Sequence, residues 1–129
     1  MEKITELFVV VENRPGALGE LLVCVGREKI NIEAIGLFQD IAKLTVSDID
    51  RAVKILRKHN YQVELREVLR LHLDNKPGSF AVVVSRLGDS GINIDYCYST
   101  VDTGQKNAAV ILDVEDIDRA MSILKGAEM

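Results

Sequence analysis

The chain is written twice, and that repetition limits its fold more than any other feature. Asn13-Arg-Pro-Gly16 recurs 62 residues later as Asn75-Lys-Pro-Gly78, and Ile30-Asn-Ile-Glu33 recurs at the same interval as Ile92-Asn-Ile-Asp95. Asp48-Ile-Asp-Arg-Ala52 recurs 68 residues later as Asp116-Ile-Asp-Arg-Ala120, so the second copy gains six residues between its second strand and second helix. Three motifs kept in one order exclude coincidence. In 129 residues they leave room for two small units of one topology.

Periodicity supplies that topology. Leu7, Val9 and Val11 alternate with Phe8 and Val10, a strand buried on at least one face. In Asn-x-Pro-Gly the proline stands where a helix can begin without losing a donor. Leu18, Leu21, Leu22 and Val25 then form one apolar helical stripe, repeated as Phe80, Val83, Val84 and Leu87. Gly26, Gly88 and Gly91 are expected to stop these helices before the Ile-Asn-Ile strands. A hairpin follows, turning near Gln39-Asp40 in the first copy and at Asp102-Thr103-Gly104 in the second. The second helices carry Ile49, Ala52, Val53 and Leu56, and Ile117, Ala120, Met121 and Leu124, with Ser47 or Asp48 as the first N-cap.

Tyr61 to Leu65 closes the first copy as a fourth strand. Val63, Leu65, Leu69, Leu71 and Leu73 share one parity, so this strand runs almost directly into the second copy. The fold class is α+β: two ferredoxin-like βαββαβ repeats over 1–67 and 68–129, with antiparallel sheets and helices on one face. Only Lys125-Gly-Ala-Glu-Met129 lies beyond the last helix, so the second repeat is expected to lack a full last strand. That leaves Leu69 to Leu73 as an open edge. With the apolar Phe8 and Val10, it predicts an oligomer, most simply a homodimer.

Bulk chemistry narrows the function. A net charge of −4 and a pI near 5.2 argue against the basic stripe that nucleic acid or an anionic membrane requires. The apolar runs are too short to span a bilayer, and the first residues lack a signal-peptide core, so a cytoplasmic location is expected. Cys24 and Cys97 have no metal-type spacing and read as small buried hydrophobes; His59 and His72 read as surface or edge residues. With no nucleophile beside a base, no carboxylate pair on one face and no metal spacing, neither an enzyme nor a cofactor or metal is expected.

The Asn-x-Pro-Gly turn does have a chemistry. It sets backbone N–H groups at a helix N-terminus, where a carboxylate can be held, and Gly16 and Gly78 let a ligand approach closely. The asparagine amide both donates and accepts, which suits an α-amino acid, and Asn31 and Asn93 have the same capacity. Each residue alone also has a plain structural use: Pro-Gly as a turn, Asn as a helix terminator.

Together, Asn13-Arg-Pro-Gly-Ala-Leu18 with Lys29-Ile-Asn-Ile-Glu33, and Asn75-Lys-Pro-Gly-Ser-Phe80 with Gly91-Ile-Asn-Ile-Asp95, resemble the ACT domain, a regulatory small-molecule-binding module of amino-acid metabolism. The tandem is similar to short stand-alone double-ACT proteins. The resemblance implies an allosteric regulatory module that binds an amino acid between paired domains. Its contacts would come from Asn13, Gly16, Ala17 and Leu18, from Asn75, Gly78, Ser79 and Phe80, and from Asn31 or Asn93. The alternative is a ligand-independent interaction subunit that docks on an amino-acid-metabolism enzyme. The second repeat is favoured as the site because Tyr96 and Tyr98 offer aromatic walls where the first has Ala34 and Gly36. The carboxylate would then sit on the N–H groups of Ser79 and Phe80, and Asn75 would bridge to the ammonium.

Overall fold

The computed structural model describes residues 1–100 and 106–125. Six strands in antiparallel pairs and four helices follow the order β1 (Glu2–Val10), α1 (Ala17–Arg27), β2 (Ile32–Phe38), β3 (Ile41–Val46), α2 (Ile49–Lys58), β4 (Val63–Asp74), α3 (Ser79–Asp89), β5 (Ile94–Thr100), β6 (Asn107–Val114) and α4 (Ile117–Leu124). The second hairpin turn, Asp102-Thr103-Gly104, and the last residues, 126–129, lie outside the described residues.

The chain forms two compact units, but not by a single cut. Thr5–Arg66 is the N-terminal unit, and Glu67–Met129 with Met1–Ile4 is the C-terminal unit. In the N-terminal unit the strands run β2-β3-β1 with the start of β4 beyond; in the C-terminal unit they run β5-β6-β4 with the start of β1 beyond. The fourth strand expected to be missing from the second repeat is therefore supplied by Met1–Ile4. Glu2 holds Arg70 at 2.8 Å, Lys3 holds Asp118 at 3.1 Å, and Met1 packs on the C-terminal core. The edge of Leu69 to Leu73 needs no second chain to cover it. Sequence periodicity could not show this, because Glu2-Lys3-Ile4-Thr5 carries charge on both parities.

Each core lies between one face of its strands and a helix pair. Leu7, Val9, Val11, Ala42 and Leu44 meet Leu21, Val25, Ala52 and Leu56; Leu69, Leu71, Leu73, Val110 and Leu112 meet Val83, Leu87, Ala120 and Leu124. Each helix centres its buried face on a pair four residues apart, narrower than the stripes read from sequence. Val84 is 37% exposed, and Leu65 in β4 is 54% exposed despite its parity. Asp48 and Asp116 cap α2 and α4, accepting the N–H of Arg51 at 3.2 Å and of Arg119 at 3.0 Å. Gly26 and Gly88 are interior to their helices. The left-handed residues that follow α1 and α3 are Lys29 (φ 57°) and Gly91 (φ 76°). Neither cysteine is fully buried: Cys24 is half-buried and Cys97 exposed. On the helix-free face Phe8 is half-buried, with the Lys43 ammonium 4.7 Å from its ring centre, while Val10 is exposed.

Candidate ligand-binding turns

Both Asn-x-Pro-Gly turns fold alike. In the first, the Arg14 N–H donates to the Glu12 carbonyl (2.9 Å) and the Ala17 N–H to the Arg14 carbonyl (3.3 Å); in the second, Lys76 donates to Asp74 (2.9 Å) and Ser79 to Lys76 (3.3 Å). The turns close through Gly16 at φ 87° and Gly78 at φ 86°, a backbone that residues with a Cβ resist. These glycines are the N-caps of α1 and α3, and neither helix has a side-chain cap. The next intrahelical bonds are Glu20 N–H to Gly16 C=O (3.0 Å) and Val82 N–H to Gly78 C=O (3.1 Å). Between them, the N–H groups of Leu18 and Gly19, and of Phe80 and Ala81, have no partner among the described residues. The open pair in the second turn is thus displaced by one residue from the Ser79 and Phe80 pair expected from sequence.

The two turns differ in charge. The first turn of α1 carries Glu20, which takes Arg14 at 2.9 Å, and Arg14 also binds Glu12 at 2.6 Å. These contacts hold the Glu20 carboxyl below its ordinary range and raise the Arg14 guanidinium. The first turn of α3 has no acidic residue, leaving its positive end uncompensated. Ser79, at the start of α3, has a buried hydroxyl oxygen with no hydrogen-bond partner among the described residues; the matching position in the first repeat is the buried Ala17. Asn13 and Asn75 are both exposed at their turns, and the Asn75 N–H donates to the Lys106 carbonyl at 2.7 Å.

The other expected contacts lie elsewhere. Asn31 and Asn93 immediately precede β2 and β5, whereas the turns stand beyond the far ends of those strands, where Val10 pairs with Ile41 and Asp74 with Asn107. Seven residues at about 3.3 Å each separate the two places by roughly 20 Å, so within one unit the turn and the Ile-Asn-Ile asparagine cannot share a small ligand. Tyr96 and Tyr98 pair with Asp113 and Ile111, on the face opposite the helices and well along β5 from the turn of their unit. They do not wall it. What the repeat comparison could have revealed is the loss of Glu20, replaced by Val82, and the gain of a hydroxyl where Ala17 becomes Ser79.

The sequence matches the model of the ACT domain pair over residues 2–128. The chain belongs to this family. Among solved structures, protein BT0572 from Bacteroides thetaiotaomicron matches with a TM-score of 0.86 and 30% identity, covering 96% of this chain and 88% of that one. The regulatory subunit of aspartate kinase from Thermus thermophilus matches at TM-score 0.65 and 14% identity, over 98% and 97% of the two chains. E. coli aspartokinase III, in complex with lysine and aspartate, matches at TM-score 0.62 and 16% identity over 98% of this chain and 32% of that one. At these last identities the likeness concerns the ACT fold alone. No curated protein sequence matches. Among the described residues this ACT pair has no cluster of three or more His, Cys, Asp or Glu able to hold a metal, and no helix long and apolar enough to cross a membrane.

Proposed function

We propose that this ACT pair is a cytoplasmic, non-catalytic regulatory module that binds a free amino acid at its second Asn-Lys-Pro-Gly turn. The observation that carries this reading is the start of α3: two open N–H groups, no acidic residue in the first turn, and the orphaned Ser79 hydroxyl. An α-carboxylate fits the N–H groups of Phe80 and Ala81, where the helix dipole favours it. In this reading Ser79 Oγ and the Asn75 amide take the remaining polar contacts, and Gly78 leaves the approach clear, since a Cβ there would meet nothing within 4 Å. The first turn, with Asn13, Gly16, Ala17, Leu18 and its Arg14–Glu20 pair, is the weaker candidate. Asn31 and Asn93 enter such a site only from another unit or chain. The homodimer belongs to this reading: the exposed Ile35, Leu37 and Phe38 on β2, the last strand of its unit's order, are the surface we assign to it.

Calorimetry across the standard amino acids tests the reading. Losing one charge-assisted hydrogen bond costs about 1.5–3 kcal/mol, so Asn75→Ala is expected to weaken binding roughly ten- to a hundredfold, and Asn13→Ala less. No heat from any amino acid, with no rise in melting temperature, sinks the sensor. It would favour instead an interaction subunit docking on an amino-acid-metabolism enzyme through the exposed apolar residues of its N-terminal unit.

A further inference from the structure

The helices of the N-terminal unit bury one face each and leave a groove between the faces they turn outward. On α1, Glu20, Val23 and Arg27 fall at i, i+3 and i+7, one line along the helix; on α2, Arg51, Lys54 and Lys58 do the same. Cys24 and Ile55, each one residue on from Val23 and Lys54, are half-buried and line the space between the helices. That space is a cavity of about 410 Å³ bounded at one end by His59 and Tyr61, and past Ile55 and Glu28 it continues into one of about 260 Å³. Burial, with the Glu28 carboxylate adding to it, pushes the Cys24 thiol up, so Cys24 is a neutral wall. Val23, beside it, is 51% exposed.

The charges along the groove are not balanced. Glu20 is taken by Arg14 at 2.9 Å and Glu28 by Arg51 at 3.4 Å. Arg27, Lys54 and Lys58 are exposed and make no ion pair among the described residues. A chain of net charge −4 thus keeps three uncommitted cations along one partly apolar groove. The second copy shows that the fold does not require them. Val23, Cys24, Arg27 and Lys54 become Ser85, Arg86, Asp89 and Ser122 there, although Glu20 becomes the exposed Val82.

We propose that this groove is a docking site for an acidic amphipathic helix of a partner protein. Seven residues at 1.5 Å make each line about 10 Å long, which matches two turns of an occupant. Apolar anchors three and four residues apart lie against Val23, Cys24 and Ile55, and flanking carboxylates meet Arg27 on one side and Lys54 and Lys58 on the other. A flat bilayer surface fits poorly, because the half-buried Cys24 and Ile55 lie between the helices rather than on a crest. The docking needs no amino acid at the Asn75 turn and is read apart from it.

Selecting a displayed library of short helices on the full chain tests the assignment. Enriched sequences are expected to be net negative with apolar residues three and four apart, to bind more weakly as salt rises, and to shift the amides of Val23 to Arg27 and Lys54 to Lys58. Val23→Ser, which installs the residue of the second copy, and Lys54→Glu are each expected to weaken the best helix about tenfold or more. Both side chains are exposed, so the melting temperature should hold. No enrichment of acidic over basic helices overturns the proposal, as does binding that survives both substitutions or maps to β2. Cosedimentation with phosphatidylserine vesicles that Lys54→Glu abolishes, with no helix enriched, gives the surface to a membrane and overturns it too. So does a dimer that Val23→Ser dissociates, which gives the groove to a second copy. Amino-acid affinity is expected to be the same in Val23→Ser as in the parent, so failure of the amino-acid site and failure of the groove are read separately.

Discussion

Lys29 and Gly91 occupy one place in the two repeats and share one left-handed backbone, at φ 57° and 76°. Such a backbone costs a side-chain-bearing residue roughly 1–2 kcal/mol, partly offset because glycine loses more entropy on folding. Lys29→Gly is therefore expected to stabilise the protein by about 0.5–1 kcal/mol and Gly91→Ala to destabilise it by at least as much, read as opposite shifts of the urea midpoint. Ser79→Ala carries a two-signed expectation. Removing a buried hydroxyl without a partner raises the stability of the free protein by about 1 kcal/mol, while amino-acid affinity falls; a variant less stable and equally avid would deny the hydroxyl its role at the turn. At this scale the sequence was legible where chemistry is local. The Asn-x-Pro-Gly turns and an N-cap at Ser47 or Asp48 follow from the motifs themselves, whereas the choice of Asp48, the left-handed φ of Gly16 and Gly78, the open N–H pair and the stranded Ser79 oxygen depend on which bonds the folded chain has already used.

The strands and helices were readable because the repeat states each pattern twice, so that Leu21 and Val25 can be checked against Val83 and Leu87. The exception is the beginning of β1, where charge on both parities conceals a strand whose partners lie more than sixty residues away. Its contacts make two expectations. Deleting Met1–Ile4 removes an edge strand from the C-terminal unit, and should lower hydrogen-exchange protection in Leu69 to Leu73 while sparing Ala42 and Leu44. Acid should loosen the same strand. A hydrogen bond from Arg70 outweighs the opposing cost of burial, and with the Arg70 charge it holds the Glu2 carboxyl below its ordinary 4.5. A carboxyl depressed in the folded state contributes stability that is present above pH 4.5 and lost as pH falls below it. Glu2→Gln should flatten that part of the stability profile measured between pH 5 and pH 3; an unchanged slope would show that the Arg70 pair carries no linkage.

For the molecule as a whole, the proposed homodimer no longer follows from an unfilled edge and rests on the exposed side chains of β2. Leu37→Lys should shift sedimentation at micromolar concentration from dimer to monomer, without lowering the melting temperature of the dilute protein, because Leu37 is 43% exposed and outside the buried core. The divided first strand has a consequence in time. Lys3 leaves the ribosome 115 residues before Asp118, its ion-pair partner. At about 5–20 residues per second that is an interval of roughly 6–23 s, during which the N-terminal unit and then β4 are made while the core on which Met1 packs is still incomplete. A greasy segment left waiting that long beside a growing sheet would invite the wrong neighbour. The adjacent opposite charges of Glu2 and Lys3, which hid this strand from periodicity, keep it soluble until the last helix is made.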